Sequence, residues 1–457
     1  MTSPAAKFLH HPLAALLLVV CCGLPGLASA QAMAATPGST EMRSEPTITD
    51  LLSLYRDALA SDASFAAARA QFEADQTLLP QARARLLPSA SASASQTFVD
   101  TNTRGSYDST NLGVSLSQPL YRPADRQTVA QQELRLEVSK LALEAARQAL
   151  ALRVAEAYFA VLAAQDNLTF LDAQKRAISE QLAAARRNFE VGAATITDTH
   201  EAQARFDLVV AQELAAQGEL EVRRNALQQL VGRPVSQLRP LAREASLPAA
   251  EGGGLNDWVQ RAERSSLDVR SRQLTVEIAS REIDKARAGH HPTVDLVASA
   301  SRVTGPAAIG TGSSTTRSSS LGVQVSVPLF SGYATQNRIL ETVALRERAL
   351  HDLDAAQRAA AQTARQAFTG VATGLAQVRA FEAAEVSSRS ALEANQLGYQ
   401  VGVRINIDVL NAQQQLFQTQ RDLARARYDT LLAGLRLQQA IGDLNEDDLI
   451  RINQLLR

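Results

Sequence analysis

Between Pro123 and Pro234 the chain has no proline, and glycine occurs there only at Gly192, Gly218 and Gly232; after Pro328 there is no proline to the end at Arg457. Proline inside a helix removes a hydrogen bond and clashes with the preceding turn, so its absence leaves very long helices open to the chain. The apolar spacing uses that freedom. Leu143, Leu150 and Ala157 recur every seven residues, and Val154 and Val161 share their face. Residues 122–190 read as one helix, and about 70 residues at about 1.5 Å each span roughly 100 Å. No compact domain needs such a rod; a coiled coil, a fibre or a tunnel wall does. Aromatics are only 4% of residues, which suits helices in close contact more than a large aromatic core.

Each long region breaks at a matching Val-Gly, at Val191-Gly192 and at Val401-Gly402. Glycine between two periodic segments marks a helix end and a turn. Two helical hairpins are therefore expected, with tips near 192–197 and 402–407.

The match between these breaks is part of a duplication. "LGVSLSQPLYRPADRQ" begins at Leu112 and "LGVQVSVPLFSGYATQ" at Leu321, 209 residues later. "FEVGAATITDTHEAQARF" begins at Phe189 and "YQVGVRINIDVLNAQQQLF" at Tyr399, 210 residues later. Ordered matches of this length identify an internal repeat. The seam falls in the loop around Glu251 to Gly254.

Each half has one grammar. A helix leads to Pro88 or Pro292, and an alternating segment follows. A polar tip ("DTNTRGSYDSTN" or "TGPAAIGTGSSTTRSSS") precedes a second alternating segment ending at Pro119 or Pro328. The chain thus divides into a signal peptide, 1–30, and two structural repeats. The first, 31–250, has strands at about 88–102 and 110–120 and helices at about 122–190 and 195–232. The second, 251–457, has strands at about 292–304 and 319–330 and helices at about 333–400 and 405–441.

The signal peptide is read from Lys7, the apolar run Leu13 to Cys22 and the small-residue site Ala28-Ser29-Ala30, which starts the mature chain near Gln31. Both cysteines, Cys21 and Cys22, lie inside it. The mature chain therefore has no disulfide, thiol nucleophile or cysteine-based metal site. Formal net charge is −1, with no basic patch of the kind that binds nucleic acid. Beyond the leader no apolar run reaches the length of a membrane helix.

The alternating segments offer another way across. Leu112, Val114 and Leu116 point one way; Gly113, Ser115 and Ser117 point the other. Leu321, Val323, Val325 and Val327 likewise oppose Gly322, Gln324 and Ser326. One apolar and one small polar face fits a strand between lipid and water. The alternative for any single segment is a sandwich strand with one buried face. Four such segments in an exported, rod-like chain favour the membrane. Four strands cannot close a barrel, and lipid tolerates no open edge, so several chains must share one barrel.

These residues resemble the TolC family of outer-membrane channel proteins. "VAEAYFAVLAAQDNL", "NFEVGAATITDTHEAQARFD", "LGVQVSVPLFSGY", "LGYQVGVRINIDVLNAQQQLF" and "IGDLNEDDL" are similar to family segments, in family order, across nearly the whole mature chain. The resemblance implies a mixed, mostly α fold. A homotrimer would form a twelve-stranded transmembrane β-barrel on a periplasmic α-helical barrel, in the cell outer membrane. It implies a passive duct, not an enzyme, served by a periplasmic adaptor (a membrane fusion protein) and an inner-membrane transporter. Outer-membrane lipid surrounds it, and neither cofactor nor nucleic acid is involved. No G-x-x-x-x-G-K-[ST] loop, H-E-x-x-H or nucleophile elbow is present in the sequence. The pair His290-His291 reads as a helix-to-strand junction, not a metal site.

The resemblance also assigns roles at the tips. Thr197 and Asp198 match gate residues of the first repeat, and Tyr399 and Arg404 match their partners in the second. An Asp–Arg pair and a Tyr hydroxyl bond would tie inner helices to their neighbours and hold the tunnel shut. Asp198-Thr199-His200-Glu201 also has capping-box spacing, with Asp198 as N-cap and Glu201 three residues on. Asp408 matches a carboxylate ring at the entrance, but Asn411 stands where the family places a second acid. One charged ring and one neutral ring imply cation selectivity weaker than that of two; the alternative for Asp408 is an exposed helix-surface acid. Gly192, Ala193, Gly402 and Val403 are the expected adaptor-contact tips. The lack of a lipidated N-terminal cysteine and the likeness around the tip and "LNEDDL" point to a type I secretion duct for an RTX-toxin-like protein. The alternatives are the outer component of a multidrug or metal efflux pump and, more distantly, a trimeric coiled-coil surface fibre.

Overall fold

A computed structural model describes residues 48–102, 105–192, 195–235, 237–242, 244–249, 253–307 and 312–457. The signal peptide with its cysteines, the seam residues Glu251 and Gly252, and Ala193 lie outside the described residues. In chain order the elements begin β1 (Ile48–Thr49), α1 (Leu51–Ser61), α2 (Ala63–Ala84), β2 (Ser89–Thr101), β3 (Gly105–Tyr121), α3 (Pro123–Glu190) and α4 (Ile196–Val231). They continue as β4 (Gln237–Leu238), α5 (Leu255–Ser265), α6 (Leu267–Arg287), β5 (Thr293–Pro306), β6 (Ser313–Ser326), α7 (Ala334–Gln400), α8 (Asn406–Ile441) and α9 (Glu446–Asn453).

α3 and α7 are rods of 68 and 67 residues. α3 starts with proline at its first position, where the missing N–H costs nothing. Both hairpin turns use left-handed glycine, with φ of 74° at Gly192 and 80° at Gly402, a backbone region that a Cβ disfavours.

The strands form one antiparallel sheet in the order β2-β3-β5-β6. Ala90, Ala92 and Ala94 stand opposite Leu116, Val114 and Leu112. Leu116 and Val114 in turn face Ala298 and Ala300, and Ala298 faces Leu321. Directly opposed residues share a face, so one face is a continuous apolar surface, and it is exposed. The other face is a serine lattice. Ser91 bonds Ser115 at 2.7 Å, Ser299 bonds Ser320 at 2.8 Å and Ser301 bonds Ser318 at 2.8 Å. Among the described residues the outer edges of β2 and β6 have no partner strand.

Three strand boundaries differ from the sequence reading. β3 begins at Gly105 and β6 at Ser313, so most of both "tip" segments is strand. Apolar alternation marks only the lipid-facing part of a ladder, while its backbone pairing runs on through serine, threonine and asparagine. A strand of 17 residues spans about 56 Å at about 3.3 Å each, more than a band of about 25 Å requires even when tilted. β6 also ends at Ser326 instead of 330, just short of Pro328, which has no N–H to donate.

Near the sheet the helices keep the strand order. α2 packs on α3, α3 on α6, and α6 on α7. Farther along, α4 and α8 take over as partners of α3 and α7. The join between strands and helices is fastened by Arg122, whose Nε and Nη2 donate to the two carboxylate oxygens of Asp295 at 2.9 and 2.7 Å. The largest buried cluster lies midway along the rods. There Leu51 and Leu54 of α1 meet Tyr158 and Phe159 of α3 and Tyr428 and Leu435 of α8. A second cluster seats Trp258 of α5 against Ala364 and Val371 of α7 and Leu437 of α8. His290 and His291 sit at the α6–β5 junction.

Candidate functional site

The sequence-singled residues gather at the end of the rods far from the sheet. Thr195 caps α4, not Asp198. Its Oγ1 accepts from the Asp198 amide at 3.4 Å, while Asp198 Oδ2 accepts from the Thr195 amide at 3.0 Å and its hydroxyl at 2.8 Å. The capping box is therefore real but lies three residues earlier than expected. Thr195 already has the extended backbone of a cap, and starting there adds a turn of helix hydrogen bonds. Thr197 is exposed on that first turn.

At the second tip the amides of Val403 and Arg404 both donate to the Gly398 carbonyl, at 2.9 and 3.1 Å. A Cβ on Gly398 would meet Arg404 Cγ at 2.6 Å, so glycine there makes the slot in which the arginine stem lies. The Arg404 guanidinium reaches Asp408 at 3.7 Å, one turn into α8. Within one chain, then, Asp198 is engaged by a cap and Arg404 by Asp408. Gly192, Gly402 and Val403 are exposed at the two turns.

Near the tips, side chains of Asn188, Asn406 and Arg205 link the two hairpins. Asn188 of α3 donates to the Tyr399 hydroxyl at 3.2 Å. Asn406, fully buried, accepts from Gln181 of α3 and donates to the Asp198 carbonyl of α4 at 3.2 Å. Arg205 of α4 donates to Asn411 at 3.0 Å and to Gln414 at 2.6 Å on α8. Sequence reasoning missed Asn188, Gln181, Asn406 and Arg205. Asn188, Arg205 and Asn406 stand inside the family-like segments, but nothing local marks them out, and each acquires its role from a partner some two hundred residues away.

Arg205 gives Asn411 a physical context. An amide oxygen accepts from the guanidinium and leaves the arginine's positive charge unneutralised. At the other end of α7, in the connection from β6, exposed Phe330 and Tyr333 pack edge to face at 5.7 Å. Aromatic residues at the border of an apolar band mark a lipid–water interface. No helix among the described residues is long and apolar enough to cross a membrane.

Known proteins share this arrangement. Residues 54–233 and 258–443 match the model of the family described as outer membrane efflux protein. The chain is 32% identical over 412 residues to outer membrane protein TolC of Vibrio cholerae, covering 89% of this chain and 94% of that one. It is 34% identical over 419 residues to the alkaline protease secretion protein AprF of Pseudomonas aeruginosa, covering 87% and 85%. Its fold matches the Campylobacter jejuni CmeC outer membrane channel with a TM-score of 0.74 at 18% identity, over 95% of this chain and 98% of that one. These matches set the surface-fibre reading aside. The chain belongs to the outer membrane efflux protein family, the family of TolC, and is an outer-membrane channel protein whose long helices extend into the periplasm.

Proposed function

We propose that three copies of this chain close a twelve-stranded barrel and a helical tunnel, forming the exit duct of a type I secretion system. The observation that carries the shared barrel is the four-stranded sheet with two unpaired edges, one apolar face and one serine face. In lipid each unpaired backbone group costs several kcal/mol, so the edges must meet edges of other copies. A closed ring is the default for identical chains.

An inner-membrane, ATP-driven transporter and a periplasmic adaptor supply the substrate and the energy. The adaptor meets the tips at Gly192, Ala193, Gly402 and Val403. Thr197, Asp198, Tyr399 and Arg404 restrain the closed entrance, helped by the Asn406 link. Asp408 supplies the one charged ring, and Arg205 beside Asn411 weakens its preference for cations.

The likeness to the alkaline protease secretion protein AprF supports an exported protein as cargo; that this protein is RTX-toxin-like is part of the proposal. The family description supports a second reading, outer component of a multidrug or metal efflux pump. Deleting the gene in its native host separates the two. Loss of a secreted protein from the medium with unchanged drug and metal tolerance supports secretion; unchanged secretion with raised sensitivity supports efflux. Step conductances from purified protein in planar bilayers test the duct itself, and a silent bilayer rejects it.

A further inference from the structure

Arg302 on β5 and Arg317 on β6 stand directly opposite each other. Opposed residues project from the same face of a sheet, and here it is the apolar one, because Leu112 is the partner of Arg302 on its other side. Toward the helices the face continues on β5 as Ala300, Ala298, Leu296 and Val294 and on β6 as Ser319, Leu321, Val323 and Val325. Away from the helices it turns polar, with Thr304 opposite Thr315. The two arginines thus sit where the apolar stripe ends.

Their height follows from strand geometry. Eight residues from Val325 to Arg317 make about 26 Å of strand at about 3.3 Å each. With a tilt of about 40° that is about 20 Å across the membrane, against an apolar band of about 25 Å. The helices extend into the periplasm, so the far end of the stripe lies in the outer leaflet, at headgroup level.

No described residue neutralises the pair. Both side chains are exposed, and neither has an ion pair or side-chain hydrogen bond with any described residue. The carboxylate nearest along this face of β3 is Asp108, four residues beyond Leu112, where it stands opposite Phe98 and accepts from Gln96 at 3.4 Å. Like charges directly opposite repel, and more strongly in a low dielectric. An anion between them reverses the sign. Two guanidinium forks side by side match the oxygens of a phosphate.

We propose that Arg302 and Arg317 bind the phosphate of an outer-leaflet lipid headgroup, anchoring the barrel to a phosphorylated glycolipid of the outer membrane. The lipid source is favoured over free phosphate because the pair faces the bilayer. On the opposite face the same stretch of β5 and β6 carries the Ser301–Ser318 bond.

The test uses the full purified chain in detergent, with diphosphorylated lipid A as probe, retention being read by native mass spectrometry. The Arg302→Gln/Arg317→Gln double variant is expected to bind about tenfold more weakly, the scale of lost charge-assisted bonds. Arg317→Gln alone should be intermediate, and enzymatically dephosphorylated lipid A should bind wild type as weakly as the double variant binds the intact lipid. Unchanged melting and conductance identify the variants as folded; the single variant carries the test if the double does not assemble. Equal retention by wild type and the folded variants overturns the proposal, as does equal binding of dephosphorylated lipid. Binding of inorganic phosphate with no lipid retention marks a free-anion site and overturns the lipid assignment.

Discussion

Gln181 donates its side-chain amide to Asn406 Oδ1, joining α3 of the first repeat to the first turn of α8 in the second. Asn406 is fully buried, and its amide also holds the Asp198 carbonyl. One side chain therefore ties together three of the four helices that meet at the tips. Asn406→Leu should leave the Gln181 amide unpaired, at a cost of about 1–3 kcal/mol where it stays buried, and remove the second bond to the Asp198 carbonyl, which keeps its place in the α4 helix ladder. A destabilised closed tip favours the open population. The expected outcome is larger single-channel conductance in planar bilayers with an unchanged β-sheet signal in circular dichroism. Wild-type conductance would remove Asn406 from the gate.

Thr195 and Asp198 share one capping box, and this separates two roles for the acid. Thr195→Ala should lower stability by about 1 kcal/mol through loss of the cap. If Asp198 acts only in the cap, Asp198→Ala and Thr195→Ala should raise conductance equally. If Asp198 also binds a neighbouring copy, its variant should conduct distinctly more. Single-channel recording of both variants under one salt condition decides between them.

At the entrance, Arg205→Gln should raise cation preference by removing a positive charge beside Asn411. Asn411→Asp should do so as well, less if the new carboxylate is spent on pairing with Arg205. Asp408→Asn should lower it. Reversal potentials in a salt gradient read all three, and identical potentials in every variant would discard the selectivity reading.

Asp62 caps α2 and accepts from the Phe65 amide at 2.7 Å and Arg153 at 3.1 Å. Burial alone raises its pKa, but hydrogen bonds from Ser64 and Phe65 and the charge of Arg153 outweigh this and hold the carboxyl below its ordinary range. A depressed folded pKa contributes stability that is complete above the unfolded value and is lost as pH falls through the folded one. Asp62→Ala should therefore lower the melting temperature at about pH 7, and the gap from wild type should shrink toward about pH 3. A gap that widens on acidification would contradict this linkage.

The rods and the repeat were plain in the sequence because proline, glycine and heptad spacing act locally. Helix ends at Val191-Gly192 and Val401-Gly402 were legible for the same reason: a left-handed turn demands glycine where it occurs. The upper halves of β3 and β6 were not, since pairing beyond the lipid band needs no apolar alternation. The cap fell on Thr195 instead of Asp198 because both T-x-x-D and D-x-x-E satisfy the same spacing, and only backbone geometry selects between them. The Gln181–Asn406 link had no local signature. Two amides become partners only after the two hairpins pack, and neither sits in a pattern that announces burial.

The unpaired edges of β2 and β6 also have a genetic meaning. In the proposed ring of three, a single copy with a blocked edge would spoil the ring for its two sound neighbours. A cell making normal and edge-blocked chains in equal amounts would build only about one ring in eight from sound copies alone, if copies mix at random. Such alleles should act dominantly, while alleles that merely prevent synthesis of the chain should be recessive.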